Sequence, residues 1–353
     1  RSPVPVPGLT NVVQVSAGTP PTCALRRDGS VVCWGAGAQG ALGNGGTSNS
    51  ATPVVVVGLT DVAQISTGNQ FTCARRSGGA VSCWGYNLYG QLGDNTTSNR
   101  LIGGGSVMGI ADAARVVVGE SFACVRRQSG AVHCWGYNNV GQLADGTLTN
   151  RALGNLPVFG TPAGLGCTGG ACATLGGGVG QNHACAIQSD GSLVCWGYNN
   201  AGQLGDNSVV TRSAPRVVNG IADVVEVVGG LQHTCARRSN GTVWCWGLGT
   251  NGQIGDGATA SPRVPTQVFG ISDAVGIAAG EDFNCALRMS GTISCWGLNS
   301  SGQLGIGSTT QQVIPQNITT FSDATQLTAG AAHACARRAN GQVWCWGSNG
   351  NGR

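Results

Sequence analysis

Apolar positions in this chain come in short runs that glycine keeps ending. Pro53-Val54-Val55-Val56-Val57 is one run, closed by Gly58. Asp61-Val62-Ala63-Gln64-Ile65-Ser66 alternates apolar and polar, and Gly68 closes it. Phe71 to Arg76 and the stretch 80–84 follow, split by Ser77-Gly78-Gly79. A polar, glycine-rich loop then runs from 85 to 95. No segment holds a helical period over the ten or so residues a helix needs, so the pattern predicts short strands and turns throughout.

The pattern recurs. Seven pairs of cysteines each enclose nine residues, and Trp-Gly follows each pair. The pairs are Cys23 with Cys33, Cys73 with Cys83, Cys124 with Cys134, Cys185 with Cys195, Cys235 with Cys245, Cys285 with Cys295, and Cys335 with Cys345. A glycine stands six residues after every first cysteine, as at Gly29 and Gly241. A three-residue turn ending in that glycine pairs Arg26 with Ser30 and sets Cys23 opposite Cys33. The first cysteines step by 50, 51, 61, 50, 50 and 50 residues. A period near 50 with four strands and no helix per unit predicts an all-β, seven-bladed β-propeller, one domain over 1–353. Residues 1–9 match the strand that precedes each hairpin, so this N-terminal strand is expected to close the last blade beside Cys335 and Cys345. The chain stops at Arg353, where other copies run on into Gln-Leu-Gly-Asp, so either the ends are trimmed or the chain is a piece of a longer protein. Ten extra residues fall within 161–178 and carry Cys167 and Cys172, read as a stapled surface loop. Two ligands are too few for a metal site.

Composition sharpens this. The hydrophobic fraction of 41% argues for a folded chain despite 61 glycines. All 19 basic residues are Arg, and the net charge of +4 does not by itself imply a polyanion partner. No apolar run reaches the length of a membrane span. Sixteen cysteines at fixed spacing fit cross-strand disulfides better than zinc ligands. Disulfides place the protein outside the cytosol: extracellular, on the cell surface, or periplasmic. A bridge in each of the seven hairpins and one between Cys167 and Cys172 are expected.

The repeat G-x4-C-A-x-R-x2-G-x-V-x-C-W-G-x-N-x2-G-Q-L-G-D, best seen in 68–94, 180–206 and 230–256, resembles the regulator of chromosome condensation repeat. That resemblance covers nearly the whole chain and implies a seven-bladed propeller that works by binding. The family includes a nucleotide exchange factor that docks on chromatin, a plant UV-B photoreceptor and a bacterial β-lactamase inhibitor. Bacterial members with this cysteine pattern look exported. The photoreceptor's tryptophan positions correspond here to Thr19, Asn69, Glu120, Gln181, Leu231, Glu281 and Ala331, so its chromophore cluster is absent. A nuclear exchange factor would not carry these cysteines, and an inhibitor's variable loops neither match nor mismatch.

Candidate chemistry is sparse. His183, His233 and His333 share the slot two before the first cysteine, but Phe71, Phe122 and Phe283 fill it elsewhere, so a packing role outweighs a three-His metal site. Arg26, Arg76, Arg127, Arg238, Arg288 and Arg338 share another slot and read as ion pairs holding the ring, with an anionic polymer as the alternative partner. No aromatic stripe supports nucleic-acid binding. No catalytic constellation, metal set or cofactor motif stands out. Tyr86, Tyr137 and Tyr198 occupy one loop slot in three consecutive copies, with Asn87, Asn138 and Asn199 next to them and Tyr89 nearby. These seven are the expected binding residues, because tyrosine supplies large amphipathic contact area. The leading reading is a non-catalytic scaffold that binds another protein or copies of itself. A structural subunit of an extracellular assembly or filament and an exported enzyme are the alternatives.

Overall fold

The computed structural model describes residues 2–154 and 174–352. It is an all-β, seven-bladed propeller. In blade one the inner strand Val12–Ala17 pairs antiparallel with Thr22–Arg26, which pairs with Val31–Gly35. The outer strand Ser50–Val55 belongs to the next copy of the repeat. Blade and repeat are thus out of phase by one strand. The chain's ends absorb that offset. Val4–Pro5 pairs antiparallel with Val343–Gly347 of blade seven, Val4 facing Cys345 and Pro5 facing Trp344, and Val6 N donates to Val343 O at 2.9 Å. Among the described residues, blades two and three make isolated bridges to their outer segments, at Arg100, Ser106 and Arg151.

The hairpin turn has the expected form. Arg26 N donates to Ser30 O at 2.9 Å and Gly29 N to Arg26 O at 3.0 Å, with Gly29 at φ +80°. A side chain there would be strained, which explains the glycine at every copy. The turn fixes the register, and the register sets each first cysteine opposite its second. Cys23 is bonded to Cys33, Cys73 to Cys83, Cys124 to Cys134 and Cys185 to Cys195. Cys235 is bonded to Cys245, Cys285 to Cys295 and Cys335 to Cys345. In all seven the Cα atoms lie 4.0–4.1 Å apart, as the cross-strand pairing requires. The expected bridge between Cys167 and Cys172 lies outside the described residues.

The core lies between blades rather than within them. One cluster joins Leu25, Val31 and Leu42 of blade one to Val62, Ile65, Ala74 and Trp84 of blade two. A two-sided sheet must bury both faces, and the ring supplies a neighbour for each. The tryptophan ending each hairpin fills this space, and six of the seven also bond the loop of the preceding blade. Trp135 Nε1 donates to Gln91 O at 2.9 Å, and Trp246 Nε1 to Gln203 O at 2.9 Å.

Candidate functional site

Inner strands and third strands end on the same side of the ring, so two sets of loops share one face. Backbone bonds join them: Tyr86 N to Gln70 O at 2.9 Å, Tyr137 N to Ser121 O at 3.0 Å, and Tyr198 N to Asn182 O at 2.9 Å. The hairpin turns occupy the opposite face.

The loop frame explains the repeat motif. Asn87 Oδ1 accepts from Leu92 N at 2.9 Å, while its Nδ2 donates to Thr96 O and Ser98 O at 3.1 and 3.0 Å. Gln91 Oε1 accepts from Tyr89 N at 2.9 Å, and Gln91 O receives the next blade's tryptophan. Asp94 Oδ1 accepts from Thr96 N at 3.1 Å, and its other oxygen holds Arg100 at 2.7 Å. Asn138 and Asn199 repeat the knot. Asn87, Asn138 and Asn199 are fully buried, at 0% exposure. They are therefore not contact residues, contrary to expectation: the amides are enclosed by the loop's own groups, out of a partner's reach.

The tyrosines are different. Tyr86, Tyr89, Tyr137 and Tyr198 are all half-buried. Tyr86 and Tyr89 meet edge-on with centroids 6.2 Å apart, and Tyr89 and Tyr137 lie 4.5 Å apart across the blade boundary. Leu88, 56% exposed, stands between the two blade-two tyrosines in sequence. The structure thus gathers three of the four into one aromatic patch; Tyr198 makes no ring contact with it among the described residues.

The axial channel opens on the same face. A ring of glycines, Gly18, Gly68, Gly119, Gly180, Gly230, Gly280 and Gly330, surrounds its mouth. The slot residue of blades two to seven lays its ring over its own glycine, as His183 does over Gly180, leaving no space for a Cβ. The next residue around the ring is Thr19, Asn69, Glu120, Gln181, Leu231, Glu281 or Ala331, so the seven family positions do converge. Gln181 Nε2 donates to Glu281 Oε1 at 2.8 Å, reaching past the intervening blade, and Asn69 Nδ2 donates to Glu120 Oε1 at 3.3 Å. Burial raises the Glu120 carboxyl above its ordinary value, and the Asn69 bond works against that.

Inside the channel lies a feature that the sequence pattern does not reveal. Gln14 clamps the next blade at two points: its Nε2 donates to Ile65 O and its Oε1 accepts from Ile65 N, both at 2.9 Å. Gln64 does the same to Val116, at 2.7 and 3.0 Å, and Gln326 to Val15, both at 3.0 Å. A second tier uses hydroxyls: Ser16 accepts from Thr67 N, Ser66 from Val118 N, and Thr328 from Ala17 N, each at 3.1 Å. These bonds satisfy inner-strand edges that face no sheet neighbour.

The histidines join blades as well as fill space. Thr234 Oγ1 donates to Gln203 O at 2.7 Å, so it accepts from His183 Nε2 at 2.8 Å. Asn284 Nδ2 likewise donates to Gln253 O at 2.8 Å, and its Oδ1 accepts from His233 Nε2 at 2.9 Å. His333 Nε2 meets Thr22 Oγ1 at 2.8 Å. Burial, with a smaller contribution from His233, lowers the His183 pKa to about 3. A signal for this existed. Where the slot is His, the residue before the next blade's first cysteine is Thr or Asn; after Phe71, Phe122 and Phe283 it is Ala123, Ala184 and Ala334, or Thr72 where blade one has neither ring. Among the described residues no group of three or more His, Cys, Asp or Glu is placed to hold a metal.

The arginine slot holds blades, not the ring. Arg76, Arg127, Arg238, Arg288 and Arg338 pair with Asp61, Asp112, Asp223, Asp273 and Asp323 of their own blades. These five charges are matched within their blades, whereas Arg26, the sixth of the slot, has a buried Nε without a hydrogen-bond partner among the described residues.

An RCC1-like domain matches residues 1–269, and the regulator of chromosome condensation (RCC1) repeat matches residues 274–303, 324–353 and 290–337. Human WBSCR16 has the same fold with a TM-score of 0.80 at 20% identity, over 97% of this chain and 88% of that one. Prp20p from Saccharomyces cerevisiae, described with its binding to Gsp1p and histones, gives 0.77 at 20% identity over 97% and 84%. The CRINKLY WD40 ectodomain of the Arabidopsis thaliana receptor kinase ACR4 gives 0.50 at 18% identity over 94% and 95%. With its repeats matched on both sides of position 270, this chain belongs to the regulator of chromosome condensation (RCC1) repeat family.

Proposed function

We propose that the protein is an exported, non-catalytic scaffold that binds another protein through the loop face of blades two and three. The aromatic patch of Tyr86, Tyr89 and Tyr137 carries this reading. The loops share one hydrogen-bonded frame, and their tips vary, which is how a scaffold builds one asymmetric site from a repeat. Rigid half-buried rings lose little entropy on contact, so they suit anchors. The buried disulfides support an oxidising compartment and hence export. The ectodomain of ACR4 takes a related fold, and Prp20p binds proteins.

The test is a triple variant, Tyr86→Ala, Tyr89→Ala and Tyr137→Ala, used as bait beside the unaltered chain against proteins of the native extracellular fraction. Each central anchor is worth about 2 kcal/mol, so the partner's affinity is expected to fall by roughly a thousandfold or more. Tyr198→Ala is expected to change it less than about threefold. Loss of self-association in sedimentation would identify the partner as a second copy. Full partner recovery by a triple variant of unchanged circular dichroism sinks the proposal.

A further inference from the structure

Outside blade four, each inner strand sets one residue at the same level of the channel: Gln14, Gln64, Arg115, Glu226, Gly276 and Gln326. Across the ladder these face Leu25, Arg75, Arg126, Arg237, Leu287 and Arg337 in turn. Glutamine clamps the next blade, and Glu226 pairs with Arg237 at 2.8 Å. Blade three alone among these opposes two like charges, Arg115 and Arg126. Like charges in direct cross-strand register destabilise a sheet. Nor can Arg115 do glutamine's work, because a guanidinium donates and never accepts.

Among the described residues no carboxylate is bonded to either group. Nε of Arg115 and Nε of Arg126 are both buried with no hydrogen-bond partner. Glu226 attracts Arg115 across the channel but is held by Arg237. The chain that follows, residues 155–179, contains no Asp or Glu. Burial holds the Arg115 guanidinium below its ordinary value; Glu226 works the other way, and Arg126 adds to the lowering. Arg115 lines an axial cavity of about 340 Å³ whose walls also carry Gln64, Gln326, Ser66, Thr328 and Glu226, the last held by Arg237. A cavity of that size lies at the lower end of small-ligand sites.

We propose that a small oxyanion, a carboxylate or a phosphate, binds at Arg115 where it lines this channel, with Arg126 adding its charge from the facing position on the neighbouring strand. A guanidinium donates two parallel bonds to either group, and a second guanidinium in cross-strand register adds to the attraction. The anion reaches them from the hairpin-turn face, since Arg115 lies near the start of its strand and the acidic Glu120 and Glu281 stand at the other mouth. The site is independent of the tyrosine patch.

Titration calorimetry on the intact chain tests this, with inorganic phosphate in one series and succinate in another, at ionic strength fixed with chloride. One saturable site per chain is expected with at least one probe, and the better probe names the ligand's class. Arg115→Gln and Arg126→Leu install residues that other blades carry at the same levels, and each is expected to weaken binding by about tenfold or more. Arg75→Leu removes a charge of the same slot in blade two and is expected to change binding less than about twofold. Thermal melts give a second readout: the probe raises the melting temperature of the unaltered chain and leaves that of Arg115→Gln in place. Absence of saturation with both probes, undiminished binding by both Arg115→Gln and Arg126→Leu, or an equal loss in Arg75→Leu overturns the proposal.

Discussion

Once unfolded and reduced, the chain is expected not to regain its native fold while its thiols are kept reduced. Each hairpin bridge closes a short loop with nine residues between its cysteines. Such a bridge contributes about 2–3 kcal/mol by limiting the unfolded chain. Seven of them together match or exceed the roughly 5–15 kcal/mol that separates a folded domain from its unfolded state. The half-cystines are buried, so a reductant acts on the native ring only as it opens. The measurement is a thiol count taken alongside circular dichroism. The native protein with reductant alone should keep its thiols hidden and its spectrum unchanged for hours. Urea with reductant should expose the thiols, and removing only the urea should not restore the spectrum. Recovery of the native spectrum with the thiols still free would show that the bridges are dispensable. It would also remove the main physical reason for placing the protein in an oxidising compartment.

The second large effect is acid sensitivity. His183 titrates near 6.5 when unfolded and at about 3 in the ring, because burial disfavours the charged form. Between those values the unfolded chain binds a proton that the folded chain refuses. Stability therefore rises with pH through this window and is fully present above about 6.5. Below that, this one group removes about 1.4 kcal/mol per pH unit. His233 is shifted in the same direction, again by burial, although Asn284 and Asp282 oppose it. Thr234→Ala alone leaves the His183 Nε2 proton without an acceptor and is expected to cost about 1–3 kcal/mol at neutral pH. His183→Phe with Thr234→Ala copies the Phe122 and Ala184 junction, and should recover most of that loss and flatten the acid slope. Urea midpoints at about pH 4.5 and 7.5, either side of the unfolded histidine's pKa, decide it for the three proteins. An unchanged slope in the double variant would mean that His183 carries none of the acid response.

The fold was legible because its determinants are local and repeated. A glycine fixed six residues after each first cysteine sets the turn, the turn sets the register, and the register brings the sulfurs together. The end strand was legible from its likeness to the outer strands. The site was only partly so. Tyr86 and Asn87 are neighbours in sequence, yet one faces outward and the other is tied inside the loop, because side chains on a tight loop diverge within one residue. The repeat does separate them, since asparagine recurs at its position while Ala36, Leu248, Leu298 and Ser348 fill the tyrosine's in other copies, but a recurring polar residue suits a frame as well as a surface. The glutamine clamps are not legible, because Gln64 reads as the polar member of an alternating strand and its partner Val116 lies 52 residues away. Such contacts run between blades, where sequence spacing gives no direction. The arginine slot failed similarly: Arg76 and Asp61 are 15 residues apart, and only the strand pairing shows that both belong to one blade.

The placing of those clamps bears on where the hoop gives way. Any ring made from a linear chain has one joint that no peptide bond crosses, and here it lies in blade seven, between Val4–Pro5 and Val343–Gly347. A hoop normally parts at its joint. Gln326 and Thr328 tie blade seven to blade one directly inside that joint, and Gln14 and Gln64 carry the tie on through blades two and three. The fastened arc therefore straddles the joint, while Gly276, with no side chain, stands at the clamp position between blades six and seven. Blade seven is thus clamped on the side toward blade one and, among the described residues, carries no such side-chain clamp on the side toward blade six.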